Sequence, residues 1–159
     1  METLSASFQI PGPLKSEYDE LHSALVRATK ELGKIGAAAK AVERVMRPHL
    51  LKEEQFALPP MAVLPKLARG EVTSDMEEML VLIDRLEHEL PGMLNDHREI
   101  VGALKLLLAA ARGQDKVEYA EFAEQLIRHA QTEEQILYPA AILAGRYIRL
   151  KLGMSERPG

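Results

Sequence analysis

Apolar residues recur along this chain at steps of three and four, the spacing that places them on one face of an α-helix. Leu14, Tyr18, Leu21, Leu25, Ala28 and Leu32 form the first such stripe, and Gly33 with Gly36 marks the turn after it. His22 stands beside Leu21 and Leu25, which predicts that it faces inward. Ser16 with Asp19 offers a helix start, although Asp is a weaker capping partner than Glu. A second helix is predicted from about Ala37 to Leu58, with Val42, Val45, Met46, His49, Glu53 and Phe56 along one side. Pro48 falls inside it, removes the hydrogen bond to Arg44 and predicts a kink just before His49. Pro59 and Pro60 end this helix, and a short helical turn is predicted over Val63 to Ala68.

The third helix is predicted to start at Ser74, with Glu77 completing a capping box. Its stripe runs through Met79, Leu82, Ile83, Leu86 and Leu90, then Leu94, His97, Val101, Leu104 and Leu108. Pro91 and Gly92 predict a bend rather than an end, and Gly113 closes the helix. A fourth helix starts near Asp115, with Glu118 as its capping partner, and carries Phe122, Leu126, His129, Glu133 and Ile136 on one face. Pro139 predicts a kink, after which Ile142 to Leu152 extend the helix. No useful length alternates with a period of two, so no sheet is expected. The fold class is therefore all-α: an up-down antiparallel four-helix bundle with kinked helices over residues 14–153. An irregular N-terminal arm over residues 1–13 precedes it, ending in Pro11-Gly12-Pro13.

Composition narrows this picture. A chain of 159 residues is one domain, able to bury a sizeable core. Aromatics make up only 4% and Trp is absent, so the core must be built from Leu, Ala, Ile, Val and Met, which suits helices. A net charge of −4 gives no electrostatic footprint for nucleic acid or an anionic membrane. The absence of Cys excludes disulfides, cysteine-bound zinc and iron–sulfur clusters. Met1 to Gly12 has neither a basic start nor an apolar run, so no signal peptide is expected. No uninterrupted apolar stretch reaches the roughly 18 residues of a membrane span. The expected location is the cytoplasm.

The candidate chemistry lies in a stretch that occurs twice. His49-Leu-Leu-Lys-Glu53-Glu54-Gln55-Phe-Ala-Leu-Pro59 and His129-Ala-Gln-Thr-Glu133-Glu134-Gln135-Ile-Leu-Tyr-Pro139 share the His, both Glu, the Gln and the Pro. Residues i and i+4 are about 40° apart around a helix, so His49 with Glu53, and His129 with Glu133, can point at one object. Glu54 and Glu134 point about 140° away and are poorer ligands. An imidazole and a carboxylate converging from one helix face are a usual donor set for a transition metal. His22 and His97 each precede one copy by enough residues to sit on the preceding helix.

The carboxylates favour a metal over a packed core. Burying Glu53 and Glu133 without a cation costs several kcal/mol each, and bringing them together adds repulsion. Lys52 and Arg128 are close in sequence but point elsewhere, so two divalent ions are the expected counter-charge. The expected ligands are His22, His49, Glu53, His97, His129 and Glu133, with Tyr18, Glu54 and Glu134 as candidates for contact behind them. Asp19 and Asp96 are further candidates to accept the second ring N–H of a ligand histidine. His88 belongs to neither copy and reads as a surface histidine. Tyr138 aligns with Leu58 in the repeat, which argues for packing.

The order H…HxxxE, H…HxxxE resembles the hemerythrin-like proteins with an HHE cation-binding domain, and the bacterial branch written H–HxxxE–H–HxxxE most closely. The resemblance covers about residues 14–150. It implies two iron ions held between the helices, bridged by the two carboxylates and by an oxide or hydroxide. The donor chemistry itself suits manganese and zinc alike. Oxygen-carrying hemerythrins place an extra His one turn from another on the third helix. Here those positions are Met93 and Val101, which leaves the iron less saturated and speaks against reversible oxygen carriage. Three function classes stay open. One is a protein that binds or senses a small ligand such as oxygen or nitric oxide. The second is a di-iron enzyme, peroxidase- or catalase-like or acting on nitric oxide. The third is a bundle whose metal is structural or stored. The implied partner is a diatomic or peroxide ligand; monomer and dimer are both open.

Overall fold

The computed structural model describes residues 8–154. Residues 1–7 of the expected arm lie outside it, as do residues 155–159. Among the described residues every regular element is helical. Helix α1 spans Gly12–Thr29, α2 Lys34–Lys52, α3 Leu64–Ala68, α4 Glu77–Gly113, α5 Val117–Thr132 and α6 Tyr138–Lys151. Helix α1 packs on α2, α2 on α4, α4 on α5 and α5 back on α1, which closes the expected four-helix bundle. Helix α6 continues α5 beyond Pro139 and packs on the first half of α4. Among the described residues no helix is long and apolar enough to cross a membrane.

The helix starts differ from the capping boxes expected. Helix α1 begins at Gly12, inside the expected arm, with Pro13 in its first turn, where the missing N–H costs nothing. Phe8, ahead of it, is buried against Met79, Ile83 and Ile148. Ser74 lies in a 3₁₀ turn over Ser74–Met76 and α4 starts at Glu77 without a side-chain cap. Asp115 has a positive φ of 54° and α5 starts after it at Val117, again without a side-chain cap. Tertiary packing of these amphipathic stripes holds the ends where local capping does not. Pro91 and Gly92 lie within the single 37-residue helix α4, as the sequence requires of a segment that does not end there.

Both copies of the repeated stretch contain a π turn. It spans Glu53–Ala57 in the first and Glu133–Leu137 in the second. The proline that follows each explains the placement. Pro59 and Pro139 have no N–H, and their rings clash with the carbonyl four residues back, so the preceding turn widens. The Leu58 N–H then donates to the Glu53 carbonyl at 2.9 Å, and the Tyr138 N–H donates to that of Glu133. The expected kink at Pro139 takes this form.

Two apolar clusters bracket the middle of the bundle. Leu21, Leu25, Val42, Met46, Ile100, Leu104 and Leu126 belong to one, and Phe56, Met61, Leu86, Met93 and Tyr138 to the other. The polar residues buried among the described ones, His49, Glu53, His97 and Glu133, come from the segments between them. One close approach holds α6 in place: a Cβ added at Gly145 would sit 2.7 Å from Ile83 Cγ2.

Candidate metal centre

Helix α2 carries His49 near its C-terminal end, with Glu53 one turn later at the start of the π turn, and their side chains converge as the spacing predicts. His49 Nε2 lies 2.8 Å from Glu53 Oε1. His97, from the middle of α4, brings its Nε2 within 2.9 Å of His49 Nε2 and 3.3 Å of Glu133 Oε1. His129 on α5 is partly exposed, and its Nε2 stands 3.7 Å from Glu133 Oε2. The donor atoms of His49, Glu53, His97 and Glu133 all lie within 4.8 Å of one another.

Each of the three histidines is oriented from behind. His49 Nδ1 meets Asp96 at 3.1 Å, His97 Nδ1 meets Glu134 at 2.9 Å, and His129 Nδ1 meets Glu17 at 3.0 Å. A carboxylate on Nδ1 fixes the tautomer that leaves Nε2 as a lone-pair donor, which is how metal-bound histidines are held. Of the carboxylates expected behind the ligands, Asp96 and Glu134 take this place. Glu54 is exposed and Asp19 pairs with Lys15 instead. Glu17 was not foreseen. Lys52, expected to point elsewhere, donates to Asp96 at 3.0 Å and so braces the carboxylate behind His49.

The His22 ring, expected to face inward, is exposed. The buried line of α1 is Leu21, Leu25 and Ala28. At about 100° per residue His22 lies roughly 60° beyond Leu25 and 100° beyond Leu21, past the edge of that line. Tyr18 occupies the flank toward α2, where its hydroxyl donates to the Leu50 carbonyl at 3.3 Å. Glu17 occupies the opposite flank, toward α5, and reaches His129. His88 is exposed, as expected. Tyr138 is not simply packing: its hydroxyl donates to Glu53 Oε1 at 2.9 Å and lies 3.3 Å from both His49 Nε2 and His97 Nε2. The signal for it was the one repeat position where Leu58 in the first copy faces a phenol in the second.

The electrostatics follow from burial. Desolvation drives the Glu133 carboxyl well above its ordinary pKa, and the charge of Glu53 adds to this. Burial works the same way on Glu53, but hydrogen bonds from Glu133, His49 and Tyr138 outweigh it and hold Glu53 low. For His49 the loss of solvent is outweighed by Glu53 and Asp96, and its pKa rises. His97 is lowered, by burial first and by the neighbouring His49 second. Among the described residues, Glu133 Oε2 is buried with no hydrogen-bond partner. An orphaned carboxylate oxygen beside three inward-facing ring nitrogens fits a bound cation: the donor set is imidazole and carboxylate, converging and already deprotonatable on the inner side.

The hemerythrin HHE cation-binding domain model matches residues 13–141. The chain belongs to the hemerythrin HHE family. Neither the curated proteins nor the solved structures give a significant match. The match covers α1 through the π turn of the second copy, and with it every histidine and glutamate described above. In this hemerythrin domain the candidate positions of α2, α4 and α5 converge, and α1 contributes Glu17, which meets the outer ring nitrogen of His129, while His22 stays exposed.

The cavity beside the cluster is small, about 20 Å³. It is bounded by Met46, Leu50, Ile100, Leu126 and Ala130 together with His49, His97, His129 and the two carboxylates. Leu21 and Leu25 of the first stripe, and Met93 and Val101 one turn from His97, do not line it. Met46, Ile100 and Leu126, each three residues from a histidine of the cluster, do so instead, with Leu50 and Ala130, the residues that follow His49 and His129.

Proposed function

We propose that this hemerythrin-domain protein holds two iron ions of unequal affinity and binds or reacts with a small uncharged ligand, such as oxygen, nitric oxide or peroxide. The observation that carries this reading is the common orientation of three histidines, each with a carboxylate on Nδ1 and with Nε2 turned toward Glu53 and Glu133. His49, His97, Glu53 and Glu133 would hold the first ion. His129 and the unpartnered Oε2 of Glu133 offer fewer donors to the second, and His22 offers none in this arrangement. Iron is chosen on the family, since the donors suit manganese and zinc as well.

Bound iron supplies Lewis acidity and redox chemistry. The chain does the rest. Asp96, Glu134 and Glu17 keep three ring nitrogens aimed inward. Met46, Leu50, Ile100, Leu126 and Ala130 exclude bulk water, and the space they bound with the donor residues, in which the ions themselves would sit, is only about 20 Å³. That size favours a diatomic or a peroxide over any larger organic substrate, and reversible oxygen carriage is not expected.

Anaerobic titration with ferrous iron, followed by nitric oxide or peroxide, tests the reading. Two uptake steps of different affinity and a visible spectrum that changes with the small ligand are expected. Absence of uptake, or a loaded protein whose spectrum ignores all of these ligands, would overturn it.

A further inference from the structure

Tyr138 is the one group at the centre of the cluster that the expected ligand set does not use. Its ring is about 1% exposed. It stacks on the His97 ring with an interplanar angle of 24°. Its oxygen lies 2.9 Å from Glu53 Oε1 and 3.3 Å from the Nε2 atoms of both His49 and His97. Those three atoms are the inward donors of the first ion's site. With metal–donor bonds of about 2.1 Å, neighbouring donors in one coordination sphere are about 3.0 Å apart at right angles and about 3.4 Å apart in a tetrahedron. The phenol oxygen thus stands from each of them at the separation of a fellow ligand.

The backbone explains how it gets there. Residues five apart on an α-helix diverge by about 140°, so Tyr138 would leave the face of Glu133. The π turn over Glu133–Leu137 closes on the Tyr138 N–H and uses five residues for one turn, which returns Tyr138 to that face. The first copy has the same π turn, but the equivalent position is Leu58, which is apolar. The repeat is therefore asymmetric at this one inward position.

We propose that Tyr138 is itself a metal ligand, a phenolate donor to the ion held by His49, His97 and Glu53. The inference rests on the metal-binding reading above. On ligation the phenol O–H bond breaks, its proton leaves to solvent, and the oxygen bonds the ion with no change of oxidation state. A hard anionic oxygen added to imidazoles and carboxylates favours ferric iron over zinc.

The test loads ferric iron into wild type, into Tyr138→Phe and into a triple variant, Tyr18→Phe with Tyr119→Phe and Tyr147→Phe, whose only tyrosine is Tyr138. Iron content is measured beside the visible and resonance Raman spectra. Wild type and the triple variant are expected to show a tyrosinate-to-iron charge-transfer band with enhanced phenolate ring modes. Tyr138→Phe keeps its histidine and carboxylate donors and is expected to hold iron with that band lost. If Tyr138→Phe does not fold, wild type and the triple variant decide alone. Iron-loaded wild type without the band overturns the proposal and leaves the metal-binding reading standing. Persistence of the band in Tyr138→Phe, or its loss in the triple variant, does the same. Failure of wild type to take up iron overturns both.

Discussion

Asp96 is the sharpest place to perturb the centre without touching a ligand. It accepts from His49 Nδ1 at 3.1 Å and from Lys52 at 3.0 Å, and its side chain is 24% exposed. Asp96→Ala leaves His49 in place but frees its ring to rotate and to adopt the other tautomer. Hydrogen bonds to a charged group contribute about 1.5–3 kcal/mol when buried, and partial exposure of Asp96 takes the lower part of that range. Loss of such a partner costs about 10–100-fold in metal affinity, which is about 1.4–2.8 kcal/mol. One effect opposes it. Asp96 helps raise the His49 pKa, so its removal makes the imidazole easier to deprotonate. The loss is therefore expected in full at a pH well above the histidine range and partly offset below it. Competition against a chelator of known affinity, at two pH values, measures it. Asp96→Asn keeps an acceptor oxygen and is expected to lose less, and Asp19→Ala, which breaks only an exposed pair with Lys15, should change nothing. Affinity of Asp96→Ala within twofold of wild type at high pH would show that Asp96 does not orient His49 for metal.

Other consequences follow from the same geometry. His49→Ala and His97→Ala are expected to abolish tight metal binding, His129→Ala to remove only the weaker ion, and His22→Ala to leave metal content unchanged; elemental analysis of the four variants checks this order, and metal loss from His22→Ala would contradict it. Metal-free protein is expected to melt at lower temperature as pH rises from about 5 toward neutrality, by thermal scans at fixed ionic strength. The sign comes from Glu133, raised above its ordinary value of 4.5, so its contribution is complete below that value and lost as pH climbs through the folded pKa. Glu53 is lowered and acts oppositely, but its contribution is lost only on the acid side; His97, also lowered, opposes the fall below its ordinary value of 6.5, and His49, raised, adds to it above that value, so the fall is expected to be steepest from 6.5 upward. Metal should abolish the trend, and a metal-free melting temperature that rises over this range would count against a buried carboxyl pair. Gly145→Ala is expected to cost about 1–3 kcal/mol through overpacking, because its new Cβ would meet Ile83 Cγ2 at 2.7 Å; an unchanged melting temperature would show that the α4–α6 contact has slack.

Much of this molecule is readable before any coordinates. The stripes locate four long helices because each buries one apolar face, and the doubled HxxxE spacing finds His49, Glu53, His129 and Glu133 because i and i+4 share a face on any helix. The His22 side chain shows where that logic stops. A residue next to a stripe lies either inside its edge or just past it, and only the packing of α1 between α2 and α5 decides which. The same packing turns Glu17 toward His129, a contact 112 residues away in sequence that no local pattern encodes. The prolines of the repeat signal a disturbed helix, but a kink and a π turn share that signal. The difference matters, because the π turn brings Tyr138 back to the centre. The alignment of Tyr138 with Leu58 carries the shared backbone geometry of the repeat, and the change from an apolar side chain to a phenol at that position carries the difference in chemistry.

Diffraction at the iron absorption edge, on crystals of the iron-loaded protein, would locate the ions among these side chains. An anomalous peak is expected within the space bounded by His49 Nε2, His97 Nε2, Glu53 and Glu133, with a weaker second peak beside His129 and with His22 still turned to solvent. A peak ligated by His22, or no peak among the four buried residues, would contradict it.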